Sequence, residues 1–251
     1  MNRVGLIGNG IKHSFSPSFF NEKWFREGIQ HWSYDLFDLP SFPEDLNAWW
    51  HKQPDLIGVN VTIPYKQNAF RAVEAQWVSN AAKEIRAVNT IVYDRESNVL
   101  RAENTDWNGF LGALDQEQVL GTGKPALILG TGGSSAAIAF ALKSIGVDFA
   151  KVSRQQKAEY IGYKDLKGQL KDYALIINTT PLGGPNFLDD YPPIPFEEID
   201  DEHYYFDLNY GADLSRAMRM CSLRGAYVQN GNEMLIRQAE LAWDFWRQWY
   251  Q

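Results

Sequence analysis

The stretch PALILGTGGSSAAIAFALKSIG, residues 125–146, constrains the fold more than any other part of the chain. A short apolar β-type run passes through a glycine turn directly into a helical pattern, the signature of a strand-turn-helix unit in a parallel sheet. Gly130 and Gly132 stand at the first two positions of a dinucleotide fingerprint, with Ser135 at the third. Gly130 permits the sharp turn and Gly132 lets a pyrophosphate approach the backbone. A small third residue allows close helix-strand packing, and the helix N-terminus faces the anion.

The next strand discriminates between cofactors. A site for a nucleotide with free ribose hydroxyls ends that strand in Asp or Glu, which would repel a 2′-phosphate. FAKVSRQQK ends instead in Ser153 and Arg154, with Lys157 shortly after, while Asp148 lies at the wrong end of the strand. A guanidinium pairs with a phosphate in a fork that lysine cannot copy, so NADP is the expected cofactor.

The same alternation extends along the chain. RVGLIGN, WSYDLFDL, DLIGVNV, AVNTIVY, PALILG, FAKVSR, ALIIN and HYYFDLNY read as strands separated by amphipathic stretches, and DRESN reads as a hairpin turn leading to VLRAEN. This predicts an α/β fold of two domains: an N-terminal α/β domain with a mixed, mostly parallel sheet, and a Rossmann-like domain. Residues 106–230 form the second domain. Residues 1–105 form the first together with 231–251, where GNEMLIRQAELAWDFWRQWY is a long helix whose stripe includes Met234, Leu235, Leu241, Ala242, Phe245, Trp246 and Trp249. The proline-rich segment 181–195 is expected to run irregularly over the surface.

Composition excludes several function classes. Net charge is −7, and no window gathers the cluster of Lys and Arg that tracks nucleic-acid phosphates. The start MNRVGLIGNG lacks an apolar leader, and no run is long enough to span a bilayer, so a cytoplasmic protein with no membrane partner is expected. Cys221 sits in an apolar pattern and reads as a core thiol, and the four histidines lack metal-ligand spacing.

In the first domain, NVTIPYK ends an apolar run in a proline and a lysine. If a helix begins at Pro64, Lys66 falls in its first turn, where the macrodipole opposes a cation; that costs stability but suits a group that gives up a proton. In ENTDWNGF, Thr105 reads as a helix cap and Asp106 as the first helical residue, where the dipole favours an ionised acid. Ser14 and Ser16 follow the first strand, and Ser16 before Pro17 also reads as an N-cap. Thr62 ends its run, Asn89 sits inside AVNTIVY, and Gln238 interrupts the apolar stripe of the last helix, where a polar group needs a partner. Converging at a sheet edge, these groups suit a small ligand rich in hydroxyl and carboxylate oxygens.

HSFSPSFFN, GVNVTIPYK, AVNT, NTDWNG, GTGGSSAA, IINTTPLG, DLNYG and GNEMLIRQA, in this order, resemble the shikimate dehydrogenase family along almost the whole chain. The resemblance implies an oxidoreductase of aromatic amino-acid biosynthesis, in the chorismate pathway, that reduces 3-dehydroshikimate to shikimate with NADPH. It implies Ser14, Ser16, Thr62, Asn89, Asp106, Tyr210 and Gln238 as substrate-binding residues, with Lys66 as acid/base and Asp106 as its partner. Cofactor contacts are implied at Gly130, Thr131, Gly132, Gly133, Ser134, Arg154, Lys157, Thr180, Leu208 and Gly231. The sequence departs from the family pattern at Phe20, at Gly184, after Tyr210, and at Lys157, which comes one position early. A quinate/shikimate dehydrogenase using NAD and a catalytically silent nucleotide-binding protein are the alternatives, and either a monomer or a homodimer fits.

Overall fold

The computed structural model describes residues 1–155, 157–211 and 214–250. It divides into two compact units, residues 1–105 with 238–251, and residues 106–237. The sequence pattern draws the second crossing earlier, between 230 and 231.

The first unit is an α/β layer structure. Its elements are β1 (Asn2–Gly8), α1 (Ser16–Glu27), β2 (Trp32–Asp38), α2 (Leu46–His51), β3 (Leu56–Val61), α3 (Lys66–Ala72), α4 (Asn80–Ile85), β4 (Thr90–Asp94) and β5 (Val99–Glu103). The sheet runs β2-β1-β3-β4-β5. β1 pairs in parallel with β2 and β3, whereas β3-β4 and β4-β5 are antiparallel, so the expected hairpin closes one edge of the sheet. β3 is buried along its whole length, as a central strand covered on both faces must be.

The second unit contains α5 (Asp106–Ala113), α6 (Gln116–Thr122), β6 (Ala126–Leu129), α7 (Gly133–Ser144), β7 (Phe149–Ser153), β8 (Ile161–Gly162), β9 (Leu175–Asn178), β10 (Tyr204–Asp207), α8 (Arg216–Ser222) and β11 (Tyr227–Asn230). Its sheet runs β11-β10-β9-β6-β7-β8, and every pairing is parallel. Strand order reverses beside β6, which opens a crevice at the carboxyl ends of β6 and β9. β6, β9 and β10 are buried throughout. The sequence pattern missed β8 and β11, whose residues are half-buried or exposed and carry no apolar run.

The last helix, α9 (Asn232–Trp249), contributes to both units. Met234 joins the core of the second unit, while Ala239, Ala242, Trp243 and Trp246 join the first. The buried face therefore includes Trp243 and leaves Leu241, Phe245 and Trp249 half-buried, a shift from the predicted stripe. Trp243 is in ring contact with Phe20, Trp24 and Trp32, and Trp246 with Phe20 and Tyr34. Lys23 on α1 is buried between Glu27 and Glu240, at 2.7 and 2.6 Å, which ties α1 to α9. Among the described residues no helix is long and apolar enough to cross a membrane.

Candidate active site

In the first unit, sheet topology gathers the candidate residues at one edge. The carboxyl ends of β1, β3 and β5 and the amino end of β4 all lie there, because β1 and β3 are parallel and the hairpin reverses twice. After β1 the chain turns so that Ser14 N donates to Ile11 O at 2.9 Å. Ser14 Oγ then accepts from Ser16 N at 3.3 Å and lies 3.4 Å from Ser16 Oγ. Ser16 is the first residue of α1, not its N-cap; Phe15 holds that position without a side-chain bond. Because Ser14 supplies the oxygen that the helix start needs, the Ser16 hydroxyl is spared the capping role predicted for it.

β3 ends at Val61, and Thr62 N donates to Ile7 O at 2.9 Å, which fixes Thr62 beside the end of β1. The turn Thr62–Tyr65 contains the cis peptide Ile63-Pro64 and closes with Tyr65 N donating to Thr62 O at 2.9 Å. Pro64 therefore stands in the turn, and α3 begins at Lys66 itself, half-buried at the first helical position. Its carbonyl accepts from Val88 N at 2.9 Å, which holds this helix start against the segment leading to Asn89. Asn89 lies just before β4 instead of inside a strand, and its carbonyl accepts from Val61 N at 2.7 Å.

A buried polar network underlies this edge, built on Asn60 and Tyr34, which the sequence reading passed over. Asn60 Oδ1 accepts from the Tyr34 hydroxyl at 2.9 Å, and its Nδ2 donates to Asn89 O at 3.3 Å and Thr90 Oγ1 at 3.2 Å. Thr90 Oγ1 donates to Asn89 Oδ1 at 3.0 Å. The Asn89 amide meets Thr105 Oγ1 at 3.0 Å, and Thr105 N donates to Asn89 Oδ1 at 2.8 Å. Burial pushes the Tyr34 phenol well above its ordinary range, opposed by a hydrogen bond from Ser16. A buried network with its members paired holds one geometry, and this one fixes Thr105, the residue that leads into Asp106. The available signal was a polar residue inside an apolar strand, which demands a buried partner. Gln238 is half-buried on the part of α9 that belongs to this unit.

In the second unit, Asp106 is the buried first residue of α5, and Tyr210 is 42 % exposed. It also builds the glycine turn. Gly130 has φ +114°, a left-handed conformation, and a Cβ there would lie 2.7 Å from Thr179 Oγ1, so only glycine fits. Gly132 caps the 12-residue α7 with ordinary backbone angles, and a Cβ built on it meets nothing within 4 Å. That open space at a helix N-terminus is the cradle an incoming pyrophosphate needs. Thr131 and Gly132 are exposed, Gly133 and Ser134 half-buried, and Ser135 is fully buried against the sheet.

Beyond β7, Ser153 Oγ accepts from Gln155 N at 3.0 Å, while Arg154 and Lys157 are exposed cations. Burial raises the Tyr163 phenol, opposed by the charge of Arg154. On the far side of β6, the Thr180 amide and hydroxyl both donate to Asn178 Oδ1, at 3.0 and 2.6 Å. Gly231 closes against Leu208, where a Cβ would lie 2.2 Å from the Leu208 carbonyl oxygen. An open glycine cradle with two cations past the next strand suits a dinucleotide that carries an additional phosphate.

Comparison with known proteins bears on both units. A family model described as the shikimate dehydrogenase substrate binding domain matches residues 6–91. A Clostridium botulinum protein named shikimate dehydrogenase (NADP(+)) is 33 % identical over 98 % of this chain and 96 % of its own length. The crystal structure of shikimate dehydrogenase 1 from Peptoclostridium difficile is similar with a TM-score of 0.85 at 30 % identity, covering 99 % of this chain and 92 % of that one. A Thermus thermophilus shikimate 5-dehydrogenase, solved in complex with NADP(H) and shikimate, gives a TM-score of 0.81 at 29 % identity, covering 99 % of this chain and 94 % of that one.

Proposed function

The chain belongs to the shikimate dehydrogenase family, and we propose on that footing that it is an NADP-dependent shikimate dehydrogenase, reversibly reducing 3-dehydroshikimate to shikimate in aromatic amino-acid biosynthesis. The observation that carries this reading is similarity over 98 % of the chain to a relative named shikimate dehydrogenase (NADP(+)), which leaves neither unit without a counterpart. The edge geometry and the glycine cradle support it.

When bound, NADP supplies the hydride acceptor or donor for the ring carbon. Gly130 to Ser134 would hold its pyrophosphate, Arg154 and Lys157 its 2′-phosphate, and Thr180, Leu208 and Gly231 the remainder. Lys66, at the start of α3, moves the proton of the reacting hydroxyl, and Asp106 accepts a hydrogen bond from a substrate hydroxyl and orients the lysine. Ser14, Ser16, Thr62, Asn89, Tyr210 and Gln238 bind the carboxylate and the other hydroxyls. A site built to satisfy hydroxyls rejects an analogue lacking one by roughly 10⁴-fold, because buried polar groups are left unpaired. The same reading places the enzyme in the cytoplasm as a monomer or homodimer, acting on a small molecule with no nucleic-acid or membrane partner.

The test is a nicotinamide absorbance assay with shikimate or quinate against NADP or NAD. Shikimate with NADP is expected to give the highest kcat/KM. A preference for NAD with quinate would move the chain to the quinate-oxidising reading, and inactivity with every pair would refute the enzyme.

A further inference from the structure

At the carboxyl edge of the second sheet lies a buried acid to which the proposed reaction gives no role. Asp207, the last residue of β10, is 0 % exposed, and among the described residues the groups that bond its carboxylate are uncharged. Asn178 Nδ2, at the end of β9, donates to Oδ1 at 3.0 Å; the Asn209 amide N and Nδ2 donate to the same oxygen at 3.1 and 2.9 Å. Ser215 Oγ donates to Oδ2 at 2.7 Å and also caps α8. Burial raises the Asp207 carboxyl, opposed by the hydrogen bonds from Ser215, Asn209 and Asn178. A buried carboxylate is costly, so one held by donors from three segments needs a reason to be there.

The reason lies in what those donors do with their other atoms. Asn178 also donates to Leu182 O at 3.0 Å, and its Oδ1 receives both groups of Thr180. Asn209 Nδ2 reaches Thr180 O at 3.2 Å and Leu182 O at 3.0 Å, and its carbonyl accepts from Gly231 N at 2.9 Å. Gly183, at φ +89°, packs against Ser215, where a Cβ would lie 3.1 Å from the serine Cβ. The loop after β9 and the loop after β10 thus converge, through Asn178, Asn209 and Ser215, on one carboxylate. Thr180, Leu208 and Gly231, assigned above to the cofactor, sit on these two loops or bond to them.

We infer that Asp207 is a positioning residue for the cofactor: its carboxylate locks the 178–183 and 208–211 loops into the wall that receives the dinucleotide on the β9 side of the crevice. This rests on the NADP reading of the site. An apolar residue would take one acceptor from each of the Asn178 and Asn209 side-chain amides and the acceptor of the Asn209 N–H and the Ser215 hydroxyl, and the loops would shift to satisfy them from solvent.

The test uses the full chain and reads nucleotide binding and amide hydrogen exchange in place of turnover. Asp207→Ala is expected to weaken NADP binding by about tenfold or more, with faster exchange confined to residues 178–184 and 208–211. Asp207→Asn, which keeps the shape and the Oδ1 acceptor while its amide donates to the Ser215 hydroxyl, is expected to restore most of the affinity and protection. If Asp207→Ala does not fold, Asn209→Ala, which removes the Nδ2 bonds to Asp207, Thr180 and Leu182 and keeps the backbone ones, is expected to show the same binding loss. Unchanged NADP affinity in Asp207→Ala or, where that does not fold, in Asn209→Ala, or protection lost evenly across β6, β9 and β10, overturns the inference while leaving the proposed function standing. A wild-type protein that does not bind NADP overturns both.

Discussion

Gly132→Ala separates what the glycine turn does for the fold from what it does for the ligand. The residue caps α7 with φ −82° and ψ −171°, angles an alanine adopts freely, and its Cβ would meet nothing within 4 Å. Losing glycine's freedom in the unfolded chain stabilises by about 0.4–1 kcal/mol, whereas alanine is a poorer N-cap than glycine by a similar amount. The two terms offset, so stability should change by less than about 1 kcal/mol, a shift of no more than about 4 °C in Tm. The bound state is different. A phosphate seated against the bare Cα would meet a methyl group inside contact distance, and overpacking of that kind costs roughly 1–3 kcal/mol. That corresponds to roughly a 5- to 150-fold weaker NADP complex. Thermal melting and calorimetric titration with NADP measure both quantities on the same sample. An alanine variant with wild-type NADP affinity would refute the reasoning, since the open volume would then not be the pyrophosphate's; a large loss of Tm would refute it from the other side.

Gly58→Ala should do the reverse. Its Cβ would lie 2.4 Å from the Trp246 ring, which is fully buried and pinned by Nε1 donating to Ile91 O at 3.1 Å, so overpacking and the strained bond together cost roughly 2–5 kcal/mol; denaturant unfolding followed by tryptophan fluorescence reads the loss. Arg154→Gln removes a charge-assisted bond worth roughly 1.5–3 kcal/mol, so NADP affinity should fall by roughly ten- to a hundredfold while NAD affinity holds, and equal losses for both would place the guanidinium elsewhere. Asp94 bonds Arg101 at 2.9 Å. Burial raises that carboxyl, but the bond from Arg101, those from Ser97 and the Arg101 charge together hold it below its usual value. A lowered acid contributes stability above the unfolded value of about 4 that is lost as pH falls through the folded one. The stability gap between wild type and Arg101→Gln should therefore narrow in acid, and a gap independent of pH would show that the guanidinium acts only through its stacking on Trp77 and Trp249, at 4.4 and 3.8 Å.

Much of the fold can be read from local chemistry, because a glycine turn and alternating apolar runs leave few arrangements of a parallel sheet. The antiparallel hairpin is legible for the same reason: DRESN is a turn whatever surrounds it. β8 and β11 are not, since two to four half-exposed residues become strands only when a neighbour supplies a ladder. Ser16 was misread as a cap because the rival oxygen, Ser14 Oγ, sits two residues away and the competition is settled only in three dimensions. Asn60 and Asp207 belong to a different class. Both stand in apolar strands, at positions a pattern assigns to core, and only the finished sheet shows which side chains answer them. Where the sequence reading did ask what a polar residue on a buried face must pair with, as at Gln238, it pointed to the first unit's share of α9; the same question put to Asn60 would have found the network beneath Asn89.

The account turns on Lys66 as the group that moves the proton, and steady-state kinetics of Lys66→Ala with shikimate and NADP tests it most directly. Loss of a positioned proton donor should lower kcat by about 10²- to 10⁴-fold with KM for shikimate little changed. A variant that turns over at the wild-type rate, or one whose defect lies wholly in KM, would contradict it.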